Sequence, residues 1–278
     1  MSADLKPMKR RGAPSKQRQL RKHAQRGVRP ASLPLVHVTA TGWAREIVET
    51  KQLDSRPCRI FGRRLVYFFV LRPAYRSRDG DAKSHQINRF PFVFLFRPEA
   101  VPDPFHVYPF DTGGAADGIF SEEADEFVFL EDFELEPSHE AAVGHIAWAF
   151  GSLEEYFDGN LRHDLMEGVP IHETVTRGFH DIARLARIGS NQPDKRASAV
   201  EVAASHNVPL SGNVLLAVVP RQYLEDDGSE NTSFLAQLRG LGIPWRTYEW
   251  QPNTAPNEFQ DEISRIVRRF YQEEKILR

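Results

Sequence analysis

The stretch "LPLVHVTATG", residues 33 to 42, closes an apolar run on a histidine and two threonines. Much later, "RASAVEVAASHNVPL", residues 196 to 210, sets a single carboxylate in an otherwise apolar, β-prone segment. One imidazole can donate a hydrogen bond from one ring nitrogen and accept at the other. If the first run is a strand, Thr39 shares a face with His37. Glu201 lies between "SAV" and "VAA", where a charge is costly without a partner or a task. The residues alone leave two readings of each. His37 is a strand-end residue that happens to be polar, or one member of a site; Glu201 is a solvent-facing acid on an edge strand, or a fixed carboxylate that stabilises a developing cation.

Other chemistries lack their motifs. His139, His145, His163, His172 and His180 gather loosely in a helical region, but none forms HExxH and "HETVT" at 172 is not a zinc motif, so no metal is expected. The single cysteine, Cys58, excludes an internal disulfide and a multi-cysteine zinc site, and reads as structural. "LRHDL" at 161 to 165 has no following Asn, Gly-rich loop or DFG to make it a kinase loop, and no GxSxG elbow occurs. Neither GxGxxG nor GxxxxGK[ST] is present to cradle a nucleotide.

The elements that must position these residues form a mixed order. "LPLVHV" reads as a strand and "GWAREIVETKQL" as a short helix with Trp43, Ile47 and Val48 on one side. "RIFGRRLVYFFVLR" is β-rich and broken at Gly62, and "FPFVFLF" at 90 to 96 is a buried strand. "EAAVGHIAWAFGSLEEYF" and "HETVTRGFHDIARLARIG" read as helices, followed by strands in "ASAVEVAASHNVPL", "NVLLAVVP" and "WRTYEW". A helix over "NTSFLAQLRGLG" ends at Gly240 or Gly242. The last helix carries Phe259, Ile263, Ile266, Val267, Phe270 and Tyr271 on one stripe. This is an α+β order, without the regular alternation of a doubly wound fold.

Charge divides the chain. Residues 1 to 30 hold ten Lys or Arg against one Asp, which leaves about -11 for the rest of a chain whose net charge is -2. Like charges and few apolar residues predict a disordered basic tail over 1–30, able to attract nucleic acid but without aromatic residues for base stacking. "DGIFSEEADEFVFLEDFELEPSHE" has ten acids and no Lys or Arg, yet its aromatics predict an ordered insertion whose polar side faces water or a basic partner. No run is long and apolar enough for a membrane span, and the first residues lack the apolar core of a secretory signal, so a cytoplasmic setting without membrane contact is expected. Residues 31–278 read as one domain with an insertion around 100–185.

Taken in order, "LVHVTATG", "LVYFFVLRPAYR" at 65 to 76 and "RASAVEVAASHNVPL" resemble the ADP-ribosyltransferase superfamily of the H-Y-E type. There a histidine with a nearby Ser or Thr lies on the first core strand, tyrosines on or after the second, and a catalytic glutamate on a late strand. The resemblance runs through residues 33 to about 220 and does not explain residues 100 to 180 or the basic tail. It implies a split, mixed or antiparallel β-sheet core with flanking helices, and NAD+ as the substrate.

The roles that follow are implications of that resemblance. His37 fixes a ribose of the bent dinucleotide as a hydrogen-bond donor, with Thr39 in support. Tyr67 and Tyr75 hold nicotinamide between aromatic faces. Arg72 and Arg76 meet the pyrophosphate. Glu201 stabilises the oxocarbenium-like sugar, with Ser198 positioning substrate nearby. Ala199, two residues before the glutamate, departs from the Glu or Gln of arginine-directed members. The block from Glu122 to Glu136 offers rival carboxylates, but Glu201 is preferred because a further strand follows it. The implied activity is transfer of ADP-ribose to a macromolecular acceptor, protein or nucleic acid, with toxin or antiviral defence as the implied setting in bacteria. Alternatives are a non-enzymatic protein that keeps the fold to bind a nucleotide or partner, and an RNA 2'-phosphotransferase drawing on Arg72, Arg76 and Arg196.

Overall fold

A computed structural model describes residues 7–75, 82–120, 126–186, 194–226 and 229–278, with the backbone alone at 225–226 and 229–230. Its strands are β1 (Leu35–Ala40), β2 (Gln52–Leu53), β3 (Arg56–Cys58), β4 (Arg63–Val70), β5 (Pro91–Phe96), β6 (His106–Tyr108), β7 (Glu201–Ala204), β8 (Val208–Pro209), β9 (Val214–Pro220), β10 (Glu225–Asp226), β11 (Ser229–Glu230) and β12 (Trp245–Tyr248). Its helices are α1 (Gln19–His23), α2 (Thr41–Thr50), α3 (Thr112–Ala116), α4 (His139–Phe150), α5 (Leu153–Asp158), α6 (Thr174–Arg184), α7 (Thr232–Gly240) and α8 (Gln260–Glu273). The chain divides into two compact units, each built from three segments.

The second unit, Pro34–Pro57, Arg64–Pro102 and Ala204–Arg278, contains most of the strands. They run in the order β12-β9-β5-β1-β4, antiparallel except for the parallel β12–β9 pair. β5 is central because all six of its residues are buried, and Pro91 is tolerated as its first residue. β1 pairs with β5 along its whole length, from Leu35 opposite Phe96 to Ala40 opposite Pro91. α8 buries Ile263, Val267, Phe270 and Tyr271, as its stripe predicts. On α2 the buried residues are Thr41, Ala44, Ile47 and Val48; Trp43 is 51% exposed, with the Arg56 guanidinium 4.9 Å from its ring centroid.

The first unit takes Met1–Leu33, Cys58–Arg63 and Asp103–Ala203. It holds the antiparallel β6–β7 pair and helices α1 and α3 to α6. The α+β class and a mixed, mostly antiparallel sheet in two parts with flanking helices are as expected. One expected helix is two: Gly151, at φ 82°, ends α4, and the Ser152 hydroxyl accepts from Glu155 N to start α5.

Residues 7–33 do not behave as the expected tail. Met8, Ser15, Leu20 and Leu33 are buried, and the segment lies along the acidic insertion as a strap. Arg10 Nε donates to Glu131 Oε1 at 2.7 Å, and Arg11 N and Gly12 N donate to the same carboxylate. Arg11 also reaches both oxygens of Asp132, while Arg21 meets Glu134 and Glu136. The basic partner predicted for the acidic insertion is therefore the chain's own N-terminal segment, and mutual neutralisation removes the repulsion that predicted disorder. Gln19 Oε1 accepts from Val175 N at 2.9 Å, satisfying a first-turn donor of α6 for which no local side-chain cap exists. His23 Nε2 lies 2.7 Å from Glu173 Oε2, and its ring stacks on Trp148.

Beneath the strap, His145 is fully buried between Trp148 and Phe179, and neither ring nitrogen has a hydrogen-bond partner among the described residues. Burial, and then the nearby His23, push its pKa down to about 3. The folded protein thus keeps His145 neutral while the unfolded chain takes up a proton below about pH 6.5, so its contribution to stability is lost as pH falls from there. His145→Phe is expected to raise the melting temperature, by about 1 kcal/mol of stability at neutral pH and by more in acid. Thermal unfolding at several pH values measures this, and a lower melting temperature in acid would refute it.

Candidate functional site

The site residues are distributed over both units. In the second unit His37 stands near the middle of β1, half-buried, with Phe94 opposite it on β5. His37 Nδ1 donates to the Tyr67 carbonyl at 2.9 Å, which fixes the tautomer. Burial lowers the pKa of His37; the Tyr67 bond opposes that and Arg56 adds to it. The ring is neutral at pH 7 and leaves Nε2 as an acceptor. The expected donor role toward a sugar hydroxyl is therefore reversed: a hydroxyl would donate to His37. Thr39 shares the His37 face, opposite Phe92.

The tyrosines do not gather around His37. Pairing of Leu35 with Val70 and Val36 with Phe69 places Phe68 on the His37 face, and the two rings meet edge to face at 5.8 Å. Alternation along β4 then sends the half-buried Tyr67 side chain to the opposite face of the sheet. Tyr75 is 8% exposed, and its hydroxyl donates to Pro256 O at 2.8 Å, so its ring is a packed one and not an open platform. Arg72 is buried, just after Leu71, whose φ of 61° turns the chain at the end of β4. Arg76 lies outside the described residues.

In the first unit Glu201 begins β7 and is 2% exposed. It is neither an edge-strand acid facing water nor a charge without a partner. β6 pairs with β7 so that Tyr108 stands opposite Glu201 and His106 opposite Ala203, which brings His106 diagonally within reach of the carboxylate. Glu201 Oε1 accepts from Thr112 Oγ1 at 2.7 Å and lies 3.2 Å from His106 Nε2; Oε2 accepts from Thr112 N at 3.1 Å. The start of β7 is pinned by Val200 N donating to the Tyr156 hydroxyl at 2.9 Å. Ser198 is fully buried in the turn before it.

A second carboxyl adjoins the first. Asp111 caps α3 by accepting from Gly113 N and Gly114 N, and takes Arg196 NH1 at 2.7 Å; Arg196 also holds Asp194 at 2.8 Å. Burial pushes both Glu201 and Asp111 up to about 7, against the Thr112 bonds in the first case and the Arg196 charge in the second. Burial holds His106 down to about 3, so it is neutral and meets Glu201 as a ring N–H donor. The result is a pair of neighbouring carboxyls poised to exchange a proton near neutral pH.

Sequence reasoning missed His106, Asp111 and Thr112. Their one signal was "HVYPFDTGG", in which Asp-Thr-Gly-Gly marks a capped helix start directly after a strand. Of the rival acids that are described, Glu131, Asp132, Glu134 and Glu136 are held by the strap and Glu126 is exposed. Among the described residues no group of three or more His, Cys, Asp or Glu could hold a metal ion, and no helix is long and apolar enough to cross a membrane.

No family model matches the chain, and no curated protein does. Among solved structures the chain is similar to Thermus sp. 2.9 DarT in complex with carba-NAD+, at 13% identity and a TM-score of 0.36, over 79% of this chain and 97% of that one.

Proposed function

We propose that the protein is an NAD+-dependent ADP-ribosyltransferase acting in the cytoplasm on a macromolecular acceptor, protein or nucleic acid. The reading starts from the order of the His37, Tyr67 and Glu201 segments. The observation that carries it is the carboxylate at the head of β7, fixed by two donors from Thr112 and one from His106. In this reaction the bond from ribose C1' to nicotinamide nitrogen breaks and its electron pair leaves with neutral nicotinamide. Ionised Glu201 stabilises the positive sugar, and the acceptor nucleophile bonds to C1' as it gives up a proton. A ribose hydroxyl donates to ionised Glu201. NAD+ is consumed as a substrate. His37 and Thr39, on one face of the sheet, contact the dinucleotide in this reading, with Arg72 toward its pyrophosphate; Tyr67, on the opposite face, Tyr75 and Ser198 are packing residues.

Purified protein is expected to release nicotinamide from NAD+, with a rate that depends on added nucleic acid or cell lysate. Because Glu201 must be ionised and its pKa is raised to about 7 by burial, activity should rise with pH through an acid limb centred near 7. An ordinary carboxylate would place that limb near 4 to 5. No release under any condition would overturn the reading.

The same burial supports a second reading, a non-enzymatic protein in which Glu201 and Asp111 are structural acids. The phosphotransferase alternative loses one of its cations, since Arg196 is held by Asp111 and Asp194.

A further inference from the structure

Apart from Lys9, which donates to the Glu126 carbonyl, the Lys and Arg residues of the strap fall into two sets. Arg10, Arg11, Arg18 and Arg21 pair with acids of the insertion. Lys16, Lys22, Arg26 and Arg29 are exposed and form no ion pair or side-chain hydrogen bond among the described residues. All four border one open cavity of ≈ 910 Å³ within the first unit, whose wall also includes Ser138 and Glu140 at the first turn of α4. The fold pairs their neighbours and leaves these four without an ion pair on a single concave surface, with Glu173 in the field of Lys22 and Glu136, already held by Arg21, and Glu140 as the acids of the wall.

We propose that this cavity docks the phosphodiester backbone of nucleic acid. A row of uncompensated cations recognises phosphate and releases the polymer's counterions on contact. No aromatic side chain lines the cavity, so bases have nothing to stack on and the contact is indifferent to sequence. The apolar lining is limited to Ala24, Val28, Ala31 and Ala141, too little to enter the acyl region of a membrane. The inference goes beyond the NAD+ reading and is tested without NAD+, so either can fail alone.

The test is fluorescence anisotropy of labelled oligothymidylate and oligoadenylate with the full chain. Both should bind alike within about 2-fold, and engagement of all four cations gives a slope of log K against log salt of about -3 for a single strand. Lys16→Glu with Arg26→Glu should weaken binding by about 10-fold or more at low salt, while Arg45→Glu on α2 leaves it unchanged. The milder Lys16→Gln with Arg26→Gln, checked by circular dichroism, covers the case in which charge reversal unfolds the strap. Absence of binding at low salt overturns the proposal. So does binding unaffected by either double variant, or capture by phosphatidylserine vesicles with none by the oligonucleotides.

Discussion

Glu201→Gln should lower nicotinamide release by about 10²- to 10³-fold, the range typical of removing one fixed electrostatic stabiliser of a transition state. The substitution isolates charge from shape, because the surrounding network can accommodate an amide. The amide oxygen takes the place of Oε2 and accepts from Thr112 N; the amide nitrogen takes the place of Oε1 and donates to the Thr112 hydroxyl and to His106 in its other tautomer. The variant also relieves Asp111 of a neighbouring negative charge. Its stability should therefore equal or exceed that of the wild type above pH 7, where the raised pKa values of both acids work against the fold. Wild-type activity that survives in a stable Glu201→Gln protein would remove Glu201 from the chemistry. Glu201→Ala is a poorer probe, since it leaves the buried Thr112 N–H without its acceptor at a cost of about 1 to 3 kcal/mol.

Gly144→Ala should loosen the strap. A Cβ at this position of α4 would stand 2.3 Å from the Gln25 carbonyl oxygen, a backbone atom that no side-chain rotation can move aside. The same contact holds the Gln25 N–H to Gly144 O hydrogen bond at 3.0 Å, which would be lost with it. The expected loss is about 1 to 3 kcal/mol from overpacking. Trypsin should cut the variant early at the many basic sites of residues 7 to 33, ahead of any cleavage in the second unit. A variant with wild-type melting temperature and an equally resistant strap would show that the backbone at Gln25 yields freely.

The parts of this fold that were legible in the sequence are those whose signal is local. "FPFVFLF" could only be a buried strand, and the stripe of the last helix named its own buried face. The acid amid "SAV" and "VAA" does have partners, but they lie about 90 residues earlier in the chain, in His106 and Thr112. Tyr67 illustrates a different limit. Whether it or Phe68 joins His37 depends on strand register, and a slip of one residue exchanges the faces. The order of the strap is not legible in composition, which averages over a segment, because it comes from individual pairs with distant acids. Gln19 capping α6 is of the same kind: the cap belongs to another part of the chain.

The pairing of strap and insertion has a consequence in time. Arg10 and Glu131 are 121 residues apart, so during synthesis the cationic segment emerges on the order of ten seconds before the acids that will neutralise it. Throughout that interval it is an uncovered polycation beside the RNA of the ribosome. Closure of the first unit is then a competition, in which the acidic insertion must displace whatever polyanion the nascent segment met first.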